Sequence, residues 1–205
     1  MAPRYIARIY FIVLFIISLF VPRILNFMTL NLFLAYIPLE LCLLLKLFKP
    51  KETKEWPLFI VFALIFILLV PNTFYMVTDL IHLNNFKFNF LVSLNLIEWF
   101  AFAYLLAGVF FAIYCMIFIF ISLEHFTSNI WLNRCLVLSL MFLNGIGIYV
   151  GRFLRFHTVY LITRPLTITH QVFDAIDLKS VIFIMLMVLL QAILILFVKG
   201  VRLIK

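Results

Sequence analysis

Acidic residues are scarce in this chain: there are eight in 205 positions, against 16 lysines and arginines. Charge of either sign is thin, at 12%, where a soluble domain carries about 25%. Internal repeats and low-complexity tails are missing, and the loops are too short to hold a separate soluble domain. There is no serine-centred nucleophile elbow, no P-loop and no dinucleotide fingerprint, which excludes an attached nucleotide-binding domain. No H-x-x-x-H or C-x-x-C spacing supports a zinc site. The cysteines are Cys42, Cys115 and Cys135. Their number is odd, no two are close, and each lies within or at the edge of an apolar run. They read as buried, reduced packing residues and not as a disulfide framework.

What remains is hydrophobic. Apolar residues make up 67% of the chain, 26 of them phenylalanine, and the mean hydropathy is +1.25. The apolar segments are continuous, whereas the strands of a transmembrane barrel alternate over roughly 10 residues. An all-α fold follows: one polytopic transmembrane helical bundle over residues 1–205, with about six spans. They are expected near 5–22, 30–48, 57–77, 97–121, 134–155 and 180–198. The first has a signal peptide's charge pattern. Its apolar part exceeds an h-region's 7–15 residues and no small-x-small site follows, so an uncleaved helix is expected. Residues 78–93 are less apolar and read as a short interfacial or re-entrant segment. Pro71 lies well inside the third run. Its ring removes a hydrogen bond and clashes with the Ile67 carbonyl, so a kink or break between Leu69 and Asn72 is expected. Gly147 and Gly151 form a small-xxx-small pair that lets another helix come close.

Six spans put both termini on one side. That side carries Arg4, Arg8, Lys46, Lys49, Lys51, Lys54, Arg134, Lys199, Arg202 and Lys205. The other carries Arg23, Lys87, Arg152, Arg155, Arg164 and Lys179. The positive-inside rule makes the first side cytoplasmic, with Asp79, His82 and the 152–164 segment facing out. The net charge of +8 is then explained by topology and anionic lipid, not by nucleic acid.

Few residues are placed for chemistry. Asp79 and His82 are three apart and share a helix face, which suits two metal ligands or a carboxylate orienting an imidazole. The plainer alternative is a helix start capped by Thr78 or Asp79, with His82 interfacial. Arg152 and Arg155 have the same spacing and suit a carboxylate or phosphate. The plainer alternative there is snorkelling to the interface. Glu40 falls near mid-membrane, where an acid expects a partner or serves a backbone group freed by Pro38. Glu98, near the outer edge of its span, is the expected ion-pair partner for an arginine. Asn31, Asn72, Asn95 and Asn144 are helix-embedded amides of the kind that join helices. His125, His157 and His170, with Asp174 and Asp177, are too loosely spaced to argue for a metal, and no cofactor is implied.

Four ordered runs carry a family resemblance. They are Asn31-Leu-Phe-Leu-Ala-Tyr-Ile-Pro38, Leu69-Val-Pro-Asn-Thr-Phe-Tyr75, Thr78-Asp-Leu-Ile-His-Leu83, and Gly147-Ile-Tyr-Val-Gly-Arg-Phe-Leu-Arg155 with Arg164-Pro165. From about Asn31 to Pro165 the chain resembles a bacterial family of multi-pass membrane proteins catalogued as a domain of unknown function. The resemblance implies a bacterial cytoplasmic (inner) membrane and supplies no activity. That family has a Trp-Asp pair where this chain has Val159-Tyr160, so no catalytic carboxylate is placed in that loop.

The residues together predict a polar site at the outer leaflet. Asn72, Asp79 and His82 would line one side of it, Arg152 and Arg155 the other, with Glu40, Glu98 and Arg164 in support. Such a site would bind or transport an anionic or lipid-phosphate ligand. The alternative is an interaction subunit of a membrane protein complex, whose cluster is a structural ion-pair network. A membrane-embedded enzyme ranks third. A ligand site leaves unbalanced positive charge around Arg152, whereas a structural network matches each arginine with Asp79 or Glu98.

Overall fold

A computed structural model describes residues 3–21, 25–88, 94–155 and 165–203. Among them every regular element is helical. Helix α1 is Pro3–Ser18 and α2 is Phe27–Leu47, with Pro38 buried inside the latter. A short turn, Thr53–Glu55, leads into α3, Trp56–Leu69. Pro57 suits the start of α3, where a backbone donor would have no partner anyway.

The third run breaks where Pro71 predicts. Val70 N–H still reaches the Phe66 carbonyl at 2.9 Å, but Thr73 N–H bonds the Val70 carbonyl at 3.0 Å. The spacing has tightened from four residues to three. Helix α4, Pro71–Tyr75, follows at once and gives way to a 310 helix, Met76–Asn85. Ten residues is long for that geometry, which seldom runs past 3–4. The polar segment expected near 78–93 is therefore continuous with the third span as far as Asn85, and 89–93 lie outside the described residues.

Helix α5, Leu96–Glu124, is capped by Asn95, and α6, Ile130–Tyr149, by Asn129. Helix α6 ends in a π turn, Val150–Leu154, in which Arg155 N–H returns to the Val150 carbonyl. Arg155 itself is left-handed, at φ 57°. Between the fifth and sixth expected spans, Pro165–Asp174 forms α7. Helix α8, Leu178–Arg202, opens with a capping box of Asp177 and Ser180. The Ser180 backbone N–H holds the Asp177 carboxyl below its usual value.

Among the described residues five helical segments are long and apolar enough to cross a membrane: Phe27–Leu47, Thr53–Asn85, Leu96–Glu124, Ile130–Leu154 and Leu178–Arg202. Helix α1 has 16 residues, roughly 24 Å at 1.5 Å per residue, which falls short of a ~30 Å hydrocarbon core. It stops before the expected residue 22 because Leu19 and Phe20 N–H groups turn back to Ile16 and Ile17. Helix α5 is the centre of the bundle, burying Leu105, Phe111, Ala112, Cys115 and Met116. Cys42 is buried as expected, but Cys135 is exposed on α6, whose inward face is taken by Asn133, Val137 and Met141.

Helix α8 rests chiefly on α6. There Asn144 donates to Gln191 at 2.8 Å, and Gln191 donates to the Met141 and Met187 carbonyls at 3.1 and 3.0 Å. A Lys199–Glu124 pair at 2.6 Å ties the far end of α8 to α5.

Candidate functional site

The site lies where α2, the 310 helix and the π turn meet. What brings them together is the absence of two side chains. A Cβ added at Gly147 would sit 2.5 Å from the Pro71 Cβ, and one at Gly151 would sit 3.1 Å from the Tyr75 ring. The two glycines therefore let α6 lie directly on α4, as the small-xxx-small spacing predicts. On the opposite side the Thr73 hydroxyl donates to the Ala35 carbonyl at 3.2 Å and ties α4 to α2.

Held this way, the charged groups meet. Arg152 Nη2 donates to Asp79 Oδ1 at 2.7 Å and to Thr78 Oγ1 at 2.6 Å, and its Nε donates to Thr78 Oγ1 at 3.1 Å. The other carboxylate oxygen of Asp79 accepts from Asn31 Nδ2 at 2.6 Å. The Thr78 hydroxyl donates to the Tyr75 carbonyl at 2.6 Å. The Tyr75 ring covers the guanidinium, with Arg152 Cζ 4.2 Å from its centroid. Asp79 is 1% exposed and Arg152 14%. A buried ion pair persists only when its remaining hydrogen-bonding capacity is met, and Asn31 and Thr78 do this.

The other expected site residues stand apart. Asn72 donates to the Leu69 carbonyl at 3.0 Å, within its own broken helix. It serves a backbone group at the proline break and does not join the cluster. His82 packs on Phe27, with ring centroids 4.2 Å apart. In the 310 helix residues three apart lie on one face, yet the Asp79 oxygens accept from Arg152 and Asn31 while the His82 ring turns to Phe27. Arg155 is exposed and makes no salt bridge among the described residues. Arg164 lies outside the described residues.

Glu98 forms no salt bridge among the described residues, and Asp79 takes Arg152. Glu98 sits in the first turn of α5, where a carboxylate is favoured by the helix dipole without any cation. Glu40 does have a partner. Arg8 Nε and Nη2 donate to its two oxygens at 2.9 and 2.8 Å, and the Tyr36 hydroxyl donates as well. Of the four amides, Asn31 and Asn144 join helices, whereas Asn95 is a cap and Asn72 bonds locally. Among the described residues no group of three His, Cys, Asp or Glu side chains could hold a metal.

Asn31, Tyr75, Thr78, Asp79 and Arg152 all lie within the runs that carry the family resemblance, so all four runs, spread over residues 31–155, converge on one ion pair. A family model described as a protein of unknown function (DUF1361) matches residues 30–194. The chain belongs to that family. No curated protein and no solved structure matches it. The DUF1361 match takes in the whole cluster and leaves α1 ahead of it. The Arg8–Glu40 pair thus joins a helix outside the matched region to one inside.

Proposed function

We propose that this integral membrane protein is an interaction subunit of a membrane complex, and that its outer polar cluster is a structural lock. One observation carries the choice over a ligand site: both carboxylate oxygens of Asp79, and both Nε and Nη2 of Arg152, already have partners within the chain. A pair engaged in this way holds the fold together. It fixes α2, α4 and α6 in register while the work is done with a membrane protein partner. Helix α8, resting chiefly on one neighbour, leaves most of its apolar surface for lipid or for that partner.

A double-mutant cycle in detergent tests the lock. Asp79→Asn and Arg152→Gln should each lower the melting temperature, and the double variant should recover part of the loss. Coupling between such contacting groups is typically 0.5–3 kcal/mol. Strictly additive losses would remove the lock.

Exposed Arg155 favours a second reading, in which the same end of the bundle binds or transports an anionic or lipid-phosphate ligand. Inorganic phosphate or phosphatidic acid should then raise the melting temperature of the native protein and leave Arg155→Gln unmoved. No shift in the native protein would end this reading.

The proposed location is a bacterial cytoplasmic membrane with both termini inside, supported by the bias of lysine and arginine and by α1 lying antiparallel to α2, with Arg8 at Glu40 and Phe15 at Phe33, so that the N-terminus returns to the side of the α2–α3 loop. Labelling of intact cells should reach a cysteine placed at Asn85 and miss one at Lys51. The opposite pattern would reverse the orientation.

A further inference from the structure

A groove of about 460 Å³ opens between the end of α2 and the first turns of α3, far from the Asp79 cluster. Leu58, Phe59 and Phe62 form its apolar wall, and Lys49 and Lys51 stand at its rim. It lies where apolar helix gives way to polar loop, beside Trp56, which is half exposed in the position favoured by interfacial tryptophans. The wall is braced from behind, since Phe59 stacks on Phe126 with ring centroids 6.4 Å apart.

The rim is built as well. Lys49 Nζ donates to the Phe126 carbonyl at 2.9 Å and stands 5.3 Å over the Phe126 ring. One of its three N–H groups is used to hold it in place, and the others remain for a ligand. One nearby acid, Glu55, also lines the groove, and both acids are engaged in hydrogen bonds within the loop itself. Glu55 Oε2 accepts from the backbone N–H groups of Lys51 at 2.7 Å and Glu52 at 3.4 Å, while Glu52 closes the capping box. With Lys46 and Lys54 also nearby, the loop carries four cations against two acids.

We propose that this groove holds one anionic phospholipid, with an acyl chain along Leu58, Phe59 and Phe62 and the headgroup phosphate at Lys49 and Lys51. A free phosphate would make no use of the apolar wall, and a zwitterionic lipid would gain little from two lysines. Each lysine near such a headgroup contributes enough to give, between them, a preference of about tenfold or more.

Brominated lipids quench tryptophan only at contact range, and Trp56 packs against Phe59, with ring centroids 5.9 Å apart. The full chain carrying Trp99→Phe and Trp131→Phe retains Trp56 alone. In phosphatidylcholine vesicles, brominated phosphatidylglycerol should associate about tenfold better than brominated phosphatidylcholine. Lys49→Gln with Lys51→Gln should bring the ratio close to one, and Lys46→Gln with Lys54→Gln should leave most of it. If removing Lys49 loosens the fold, Lys51→Gln alone should still lose a measurable part of the preference. Equal quenching by the two lipids overturns the proposal, as does a preference that survives loss of both rim lysines.

Discussion

Among the described residues two carboxylate–guanidinium pairs have similar contact distances in very different settings. Arg8–Glu40 joins two regular helices at 2.8 Å, with side-chain exposures of 43% and 27%. Arg152–Asp79 joins a π turn to a 310 helix at 2.7 Å, with exposures of 14% and 1%. In the first pair Arg8 stands in the second turn of α1, where a long side chain reaches the interface by extending. The second has no such escape, because Asn31, Thr78 and Tyr75 enclose it. A contact distance is thus a poor guide to what a pair contributes; the cost of leaving one member alone is the better guide.

The comparison is sharpest at the carboxylates. Asp79→Asn should be the most damaging change, because it strands the Arg152 guanidinium in a closed site. Breaking a buried pair typically costs about 3–5 kcal/mol, to be read as a fall in thermal or denaturant midpoint in detergent. Glu40→Gln should cost far less, about 1 kcal/mol, as expected for a half-exposed pair. Equal losses at the two positions would abolish the distinction between them.

Gly147→Ala comes next. Its methyl group would press into the Pro71 ring, which is fixed to the backbone and cannot swing aside. Overpacking of this kind costs about 1–3 kcal/mol. The same change at Gly108, whose neighbours are the flexible ends of Met76 and Met28, should be milder. A Gly147→Ala protein as stable as the native one would show that α6 stands off from α4.

Arg8→Gln should have the smallest effect, because Glu40 keeps the Tyr36 hydroxyl. A loss as large as that of Asp79→Asn would mean that α1 is held mainly by this one contact.

Much of this was legible in the sequence. Run lengths located the crossing helices, Pro71 located the break, and Gly147 with Gly151 pointed to the close contact. These are signals of spacing and covalent chemistry, which survive without tertiary information. What was hidden depends on how each helix is rotated about its axis. Nothing local distinguishes Asn31, which reaches Asp79, from Asn72, which bonds its own helix. Glu98 and Asp79 both lie toward the same end of the bundle, and only helix rotation gives Arg152 to Asp79. Glu40 announced that it needed a partner, but Arg8, in the short α1, could be named only from the packed structure.

The wide turn at Val150–Leu154 has a consequence for changes in chain length. In a regular α-helix each residue advances about 100°, so Arg152 would stand about 140° around the axis from Gly147. A turn closed over five residues winds more slowly and swings Arg152 back toward the side on which the glycines meet α4. Aim at this point is set by a count of residues, not by the chemistry of any side chain. Removing one residue ahead of Arg152 would leave every functional group present, yet it would re-aim the arginine by tens of degrees and draw it back along the axis by about 1.5 Å.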